Sequence, residues 1–126
     1  MADIPYTNFD RFTKDVLDSD VPVLVQYTAP WCGPCKAMQP ALEQVQGVLV
    51  ETHTGKVVKV NIDEDYELAE EFGVKTVPTF ILFWDGEPVD RSMGAVGVQG
   101  LIDLFLRNSS HADPAPTPND PPGKSG

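Results

Sequence analysis

Val21-Pro22-Val23-Leu24-Val25-Gln26-Tyr27-Thr28-Ala29-Pro30-Trp31-Cys32-Gly33-Pro34-Cys35-Lys36 is the stretch on which the fold turns. Residues 21–27 are a nearly continuous apolar run of strand length, the pattern of a central strand covered on both faces. The residues from Gly33 onward read as a helix, with Pro34 in the first turn, where proline is tolerated. Cys32 and Cys35 are the only cysteines in the chain. Two intervening residues let one turn of backbone bring both sulfurs within disulfide reach. A cysteine at a helix start faces unpaired N–H groups and the positive end of the helix dipole, which favour thiolate over thiol. The thiolate is the species that attacks disulfides. The spacing therefore predicts reversible dithiol–disulfide exchange. A structural disulfide is one alternative. A zinc site is another; zinc takes about four N or S ligands, and only His53 and His111 are left to join the cysteines.

The chain of 126 residues suffices for one compact domain and not for two. Its 41% of hydrophobic residues is ordinary for a globular core. A formal net charge of −10 argues against nucleic acid and anionic membranes as partners, since both call for a basic face. It favours partners with basic patches. No apolar run approaches the roughly 20 residues of a membrane span. Met1-Ala2-Asp3-Ile4-Pro5 has neither a basic start nor an apolar core, so no secretory signal is expected and the expected compartment is cytoplasmic. In a reducing compartment a Cys-x-x-Cys pair is more often catalytic or metal-binding than a staple. An exported protein whose leader has been removed is the rival reading.

Residues 1–108 read as the domain and residues 109–126 as a Pro-rich tail. The tail holds no large apolar residue and is expected to be disordered and partly extended, with His111 an ordinary member of it. A docking peptide is the alternative. Within the domain, Phe9, Phe12, Val16 and Leu17 fall on one helical face behind Asn8 as N-cap. Pro40 predicts a kink in the helix that starts at Gly33 and runs to about Val50. Gly47 weakens the second half of that helix, which is expected to be irregular before Gly55. Residues 57–62 read as a strand and residues 65–72 as a short acidic helix ended by Gly73. Residues 79–84 and 88–93 flank Asp85-Gly86, a strong hairpin signal. Residues 98–108 read as a last helix with Leu101, Leu104 and Phe105 on one face. The order is βαβ, helix, hairpin, helix, with no internal repeat.

Trp31-Cys32-Gly33-Pro34-Cys35-Lys36, followed by Pro40, Asn61-Ile62-Asp63, Val77-Pro78-Thr79, Asp85-Gly86 and Met93-Gly94-Ala95, resembles the thioredoxin family over about residues 4–108. The resemblance implies an α/β fold, a central mixed β-sheet with helices on both faces. It implies a protein disulfide reductase that donates electrons to disulfide-containing target proteins. Cys32 would be the exposed nucleophile and Cys35 the more buried resolving thiol. Gly33-Pro34 stiffens the turn between them and in this family goes with reductants. Pro78 would be a cis-proline exposing the Val77 backbone for strand-like pairing with a substrate. Trp31, Ile62, Val77, Pro78, Gly94 and Ala95 would form an apolar groove beside Cys32. No bound cofactor is needed, because the Cys32–Cys35 pair is itself the redox centre. The electron donor would be an NADPH-dependent thioredoxin reductase, and the protein a monomer.

Two positions depart from the family. Gln26 stands where a buried Asp usually helps Cys35 lose its proton; Lys59 matches that acid's lysine neighbour. Gln26 is no base, and slower release of the mixed disulfide is expected. Thr28 stands where an aromatic is usual, and Tyr27 is a candidate to fill its place. Trp84, before the hairpin turn, reads as packing on a neighbour or as a partner contact. Asp63-Glu64-Asp65 with Glu67, Glu70 and Glu71 reads as acids favourable near a helix start, or as steering for basic partners. His53 reads as a surface residue. Two other functions are kept open: an oxidase or isomerase in an oxidising compartment, and a thioredoxin-fold binding or co-chaperone module.

Overall fold

In the computed structural model, which describes residues 3–108, strand β1 (Val23–Thr28) is buried along its whole length. It has neighbours on both sides. β2 (Lys56–Asn61) pairs with it in parallel, Val23 opposite Lys56 through Thr28 opposite Asn61. β3 (Thr79–Trp84) pairs antiparallel on the other side, and β4 (Glu87–Met93) pairs antiparallel with β3, giving the order β2-β1-β3-β4. The sheet is mixed, and the βαβ unit followed by a hairpin is as the sequence order requires. Asp85 and Gly86 make the hairpin turn with φ of 60° and 83°, the left-handed pair that matches strand twist. Pro88 is tolerated because β4 is an edge strand.

The active-site helix arrives in two pieces, α1 (Gly33–Ala37) and α2 (Gln39–Thr52). They break at Met38, where ψ falls to −7°. Pro40 lacks an N–H and its ring crowds the carbonyl four residues back, so it fits only the first turn of a new helix. α2 runs unbroken through Gly47, against the expected irregularity. Glycine there costs roughly 0.5–1 kcal/mol, and burial of Leu42, Val45 and Leu49, at about 1.5–3 kcal/mol each, outweighs it. His53, at φ 57°, closes the helix. α3 (Tyr66–Glu71) ends at Gly73, whose φ is +69°. α4 (Val98–Arg107) buries Leu101 and Leu104.

Strand alternation splits the core in two. Leu24, Val57, Phe80 and Leu82 face Met38, α2 and α4. Val23, Val25, Tyr27, Val58, Val60, Ile81 and Phe83 face the other way, toward α3 and the N-terminal turns. There Phe83 packs edge-on to both Phe12 and Phe72, with centroids 5.4 and 5.1 Å away.

The N-terminal region differs from its sequence reading. Asn8 does not cap the helix, whose N-cap is Phe12 without a side-chain hydrogen bond; its Oδ1 accepts the Arg11 N–H at 3.0 Å and closes the turn before it. The helix that follows is a π-helical turn, Thr13–Leu17, closed by Asp18 N–H to Thr13 O. The wider turn breaks the 3.6-residue face, so Phe12 and Val16 are buried while Phe9 is 55% exposed. Before it, Tyr6 bridges to Lys59, with Thr7 N–H to Lys59 O at 2.8 Å and Lys59 N–H to Pro5 O at 2.9 Å. Beside it the Gln46 amide pairs with the Val57 backbone at 2.8 and 2.9 Å. Together they satisfy the outer edge of β2, which would otherwise offer unpaired backbone groups. No helix among the described residues is long and apolar enough to cross a membrane. The tail reading of residues 109–126, His111 included, lies outside the described residues.

Candidate functional site

β1 ends at Thr28, and four residues later Cys32 caps α1. Cys32 has extended backbone, φ −87° and ψ 102°, and its Sγ accepts the Cys35 N–H at 3.1 Å. Cys32 and Cys35 form a disulfide with Cα atoms 5.3 Å apart. The helix behind the pair is only five residues long, so the direct N–H contact, not a long macrodipole, is the local electrostatic support for Cys32 sulfur.

Cys32 is 3% exposed and Cys35 5%. The expected contrast between an exposed and a buried sulfur is not present in the disulfide form. Both cysteines pack with Ala29 against Ile62 and Val77, and each sulfur shields the other. The exposed parts of the motif are Trp31, Gly33, Pro34 and Lys36. Trp31 is 65% exposed, and its indole N–H donates to both Asp63 carboxylate oxygens, at 3.1 and 3.3 Å. Asp63 is itself held by its N–H on Asn61 Oδ1 at 2.9 Å. This pairing was not read from the sequence, where Asp63 passed as one of a run of acids. Asn61-Ile62-Asp63 at the end of β2 was the available signal.

The Val77–Pro78 peptide is cis. Pro78 O accepts the Gly94 N–H at 2.8 Å, tying the end of β4 to this loop. Gly94 has φ +90°, a conformation that favours glycine, and an added Cβ there meets nothing within 4 Å. Ile62 and Val77 are half-buried, Pro78 buried and Ala95 exposed.

Gln26 and Lys59 lie opposite each other in the β1–β2 register. Gln26 is fully buried, and neither amide atom meets a hydrogen-bond partner among the described residues. Lys59 Nζ instead donates to Gln39 Oε1, and Gln39 Nε2 donates to Glu43 Oε2 at 3.0 Å. Burial pulls the Lys59 ammonium below its ordinary range, against a smaller opposing pull from Glu43. Tyr27 does not stand in for an aromatic at Thr28. It points into the α3-side core, where burial pushes its phenol well up, while Thr28 is buried at the strand end.

Of the other candidates, Asp65 accepts the Phe9 N–H at 3.1 Å rather than capping α3. Trp84 and His53 lie far from the dithiol. Both line a cleft at the opposite end of β1, with Pro22, Val48, Ile102 and Phe105.

A mixed sheet with helices on both faces, and a Cys-x-x-Cys disulfide where the central strand enters a helix, define a dithiol–disulfide exchange protein. A family model described as Thioredoxin matches residues 3–107. Among curated proteins, thioredoxin 1 of Nostoc sp. is 45% identical over 87 residues, 68% of this chain and 78% of that one. Thioredoxin of Synechocystis sp. is 40% identical over 98 residues, covering 76% and 88%. The chloroplastic thioredoxin Y1 of Arabidopsis thaliana is 44% identical over 94 residues, 75% of this chain and 54% of that one. The chain belongs to the thioredoxin family, and it is a protein-disulfide oxidoreductase working by dithiol–disulfide exchange at Cys32 and Cys35.

Proposed function

We propose that this protein reduces disulfides of other proteins in a reducing cytoplasm, with Cys32 as the attacking thiol and Cys35 as the resolving one. Cys32 thiolate attacks a substrate disulfide, forming a mixed disulfide and expelling one substrate thiolate. Cys35 loses its proton and attacks Cys32 Sγ, releasing the second substrate thiolate. Two electrons pass to the substrate, and the Cys32–Cys35 disulfide is regenerated. An NADPH-dependent thioredoxin reductase returns the pair to the dithiol.

The observation that carries this assignment is the Cys35 N–H aimed at Cys32 Sγ at 3.1 Å. A backbone donor at that sulfur favours its thiolate, the attacking species. Trp31, Ile62, Val77, Pro78, Gly94 and Ala95 serve as the substrate groove, with Trp31 steadied by Asp63. Gly33 and Pro34 hold the turn, and Gln26 and Lys59 lie behind it. Residues 1–108 form the working unit. The test is reduction of a disulfide-bonded protein with dithiothreitol as the electron source. Cys32→Ser is expected to abolish exchange and capture nothing. Cys35→Ser is expected to stall as a mixed disulfide visible on a non-reducing gel. Capture by Cys32→Ser instead would reverse the roles.

A further inference from the structure

The cleft at the far end of β1 has a volume of about 540 Å³. That lies within the range of roughly 300–1,000 Å³ typical of built binding sites. Its walls are Val48 and Leu49 of α2, Trp84 at the end of β3, and Ile102 and Phe105 of α4. Six residues of β1 separate it from the loop that carries Cys32, about 20 Å of strand, so the exchange chemistry does not use it. Asn108, the last described residue, is on its rim. The chain beyond Asn108 therefore starts at the mouth of the cleft.

That following segment is built to suit aromatic walls. Five of the protein's 12 prolines, Pro114, Pro116, Pro118, Pro121 and Pro122, fall in it. In a polyproline II helix, which has about three residues per turn, Ala112, Ala115, Pro118 and Pro121 line one edge. That edge is uniformly apolar, whereas Asp113, Asn119 and Asp120 fall on the other two. Pro118-Asn119-Asp120-Pro121 also has the P-x-x-P spacing that docks in aromatic-lined grooves. The lack of large apolar side chains is no obstacle here, because the cleft supplies the apolar surface. A proline segment also has little backbone freedom left to lose. From Asn108 to Pro121 the extended contour is about 40 Å, ample to fold back across the ten residues of α4, about 15 Å long. Tethering at the rim gives an effective concentration in the millimolar range, so even weak contacts suffice.

We propose that the cleft is a docking site for the protein's own C-terminal segment, with Pro118 and Pro121 seated against Trp84 and Phe105. The test uses the full-length oxidised chain in solution and follows the Trp84 indole N–H by NMR. Nuclear Overhauser contacts from Pro118 and Pro121 ring protons to the Trp84 ring are expected. Replacing Pro118 and Pro121 with serine should abolish them, move the Trp84 and Phe105 resonances, and leave those of Trp31 in place. All of this should be independent of protein concentration, and Trp84→Ala in the full chain should release the proline resonances in the same way. An unmoved Trp84 signal in the serine variant overturns the proposal. Contacts that fade on dilution overturn it too, because they would place a second copy's tail in the cleft.

Discussion

Gln26 is held at full burial in the middle of the sheet with both amide atoms unpartnered among the described residues. An amide left that way costs about 1–3 kcal/mol. Gln26→Met keeps nearly the same volume and removes the polar atoms, so it is expected to raise the urea midpoint by about that much in free energy. A lower midpoint would mean that the amide is bonded after all. Gln26→Asp is expected to act the other way. Burial without a partner raises a carboxyl's folded pKa above its unfolded value of about 3.9. The unfolded chain then loses its proton first, so stability falls as pH rises above about 4. The same substitution supplies a base behind Cys35, and release of the mixed disulfide should quicken, whereas Met should leave it unchanged. Equal rates for Asp and the natural Gln would end the idea that position 26 limits the reaction. At this scale the pairing of the cysteines was legible, because a three-residue separation is local, but their near-equal burial was not. Asp63 was not, since its meeting with Trp31 spans 32 residues of chain.

Asp90 shows what a single contact does for an element. It lies on β4 and accepts from Arg107 Nη2 at 2.9 Å and from the Asn108 amide, fastening the end of α4 to the sheet edge. The Arg107 guanidinium holds the Asp90 carboxyl below the usual carboxylate range, against desolvation, with Asn108 and the Arg91 N–H assisting. A depressed folded pKa contributes stability above the unfolded value of about 3.9 and loses it as pH falls through the folded one. Asp90→Asn should therefore cost no more than about 1 kcal/mol at pH 7, solvent screening at the exposed Arg107 discounting the pair, and loosen amide-exchange protection in the last turn of α4. The gap to the natural chain should close as pH falls from 4 toward 2. A cost that stays constant with pH would make the contact steric rather than ionic. Elements whose signals are local were legible: the Asp85-Gly86 hairpin, the Gly73 stop and the Pro40 break. The pairing of Tyr6 with Lys59 was not, because residues 4–7 have no strand pattern of their own and are ordered by the edge they cover. Gly47 misled for a similar reason, since tertiary burial of α2 outweighs local propensity.

The reduction potential belongs to the whole molecule, because it weighs the folded disulfide against the folded dithiol. A shift from about −270 mV to about −180 mV, a reductant's value to a disulfide donor's, amounts to about 4 kcal/mol. Stabilising the reduced form by that much takes two or more charge-assisted hydrogen bonds to the thiolate, at about 1.5–3 kcal/mol each. Cys32 has one backbone donor, from Cys35, and otherwise apolar neighbours in Ala29, Ile62 and Val77. Of the charged side chains at the motif, Lys36 follows Cys35 but is exposed to solvent, whereas the Asp63 carboxylate on Trp31 has the wrong sign, and the chain carries a net charge of −10. The single donor favours the thiolate, but the apolar neighbours and the negative charge around it hold it back, so the couple should equilibrate near about −270 mV in a glutathione series. Added salt screens the acidic surface and eases the thiolate, so the potential should become slightly less negative as ionic strength rises. Asp63→Asn should move it in the same direction and weaken the salt dependence. A potential near −180 mV, or one that salt drives more negative, would mean that a cation reaches Cys32 in the reduced form and would favour disulfide donation over reduction.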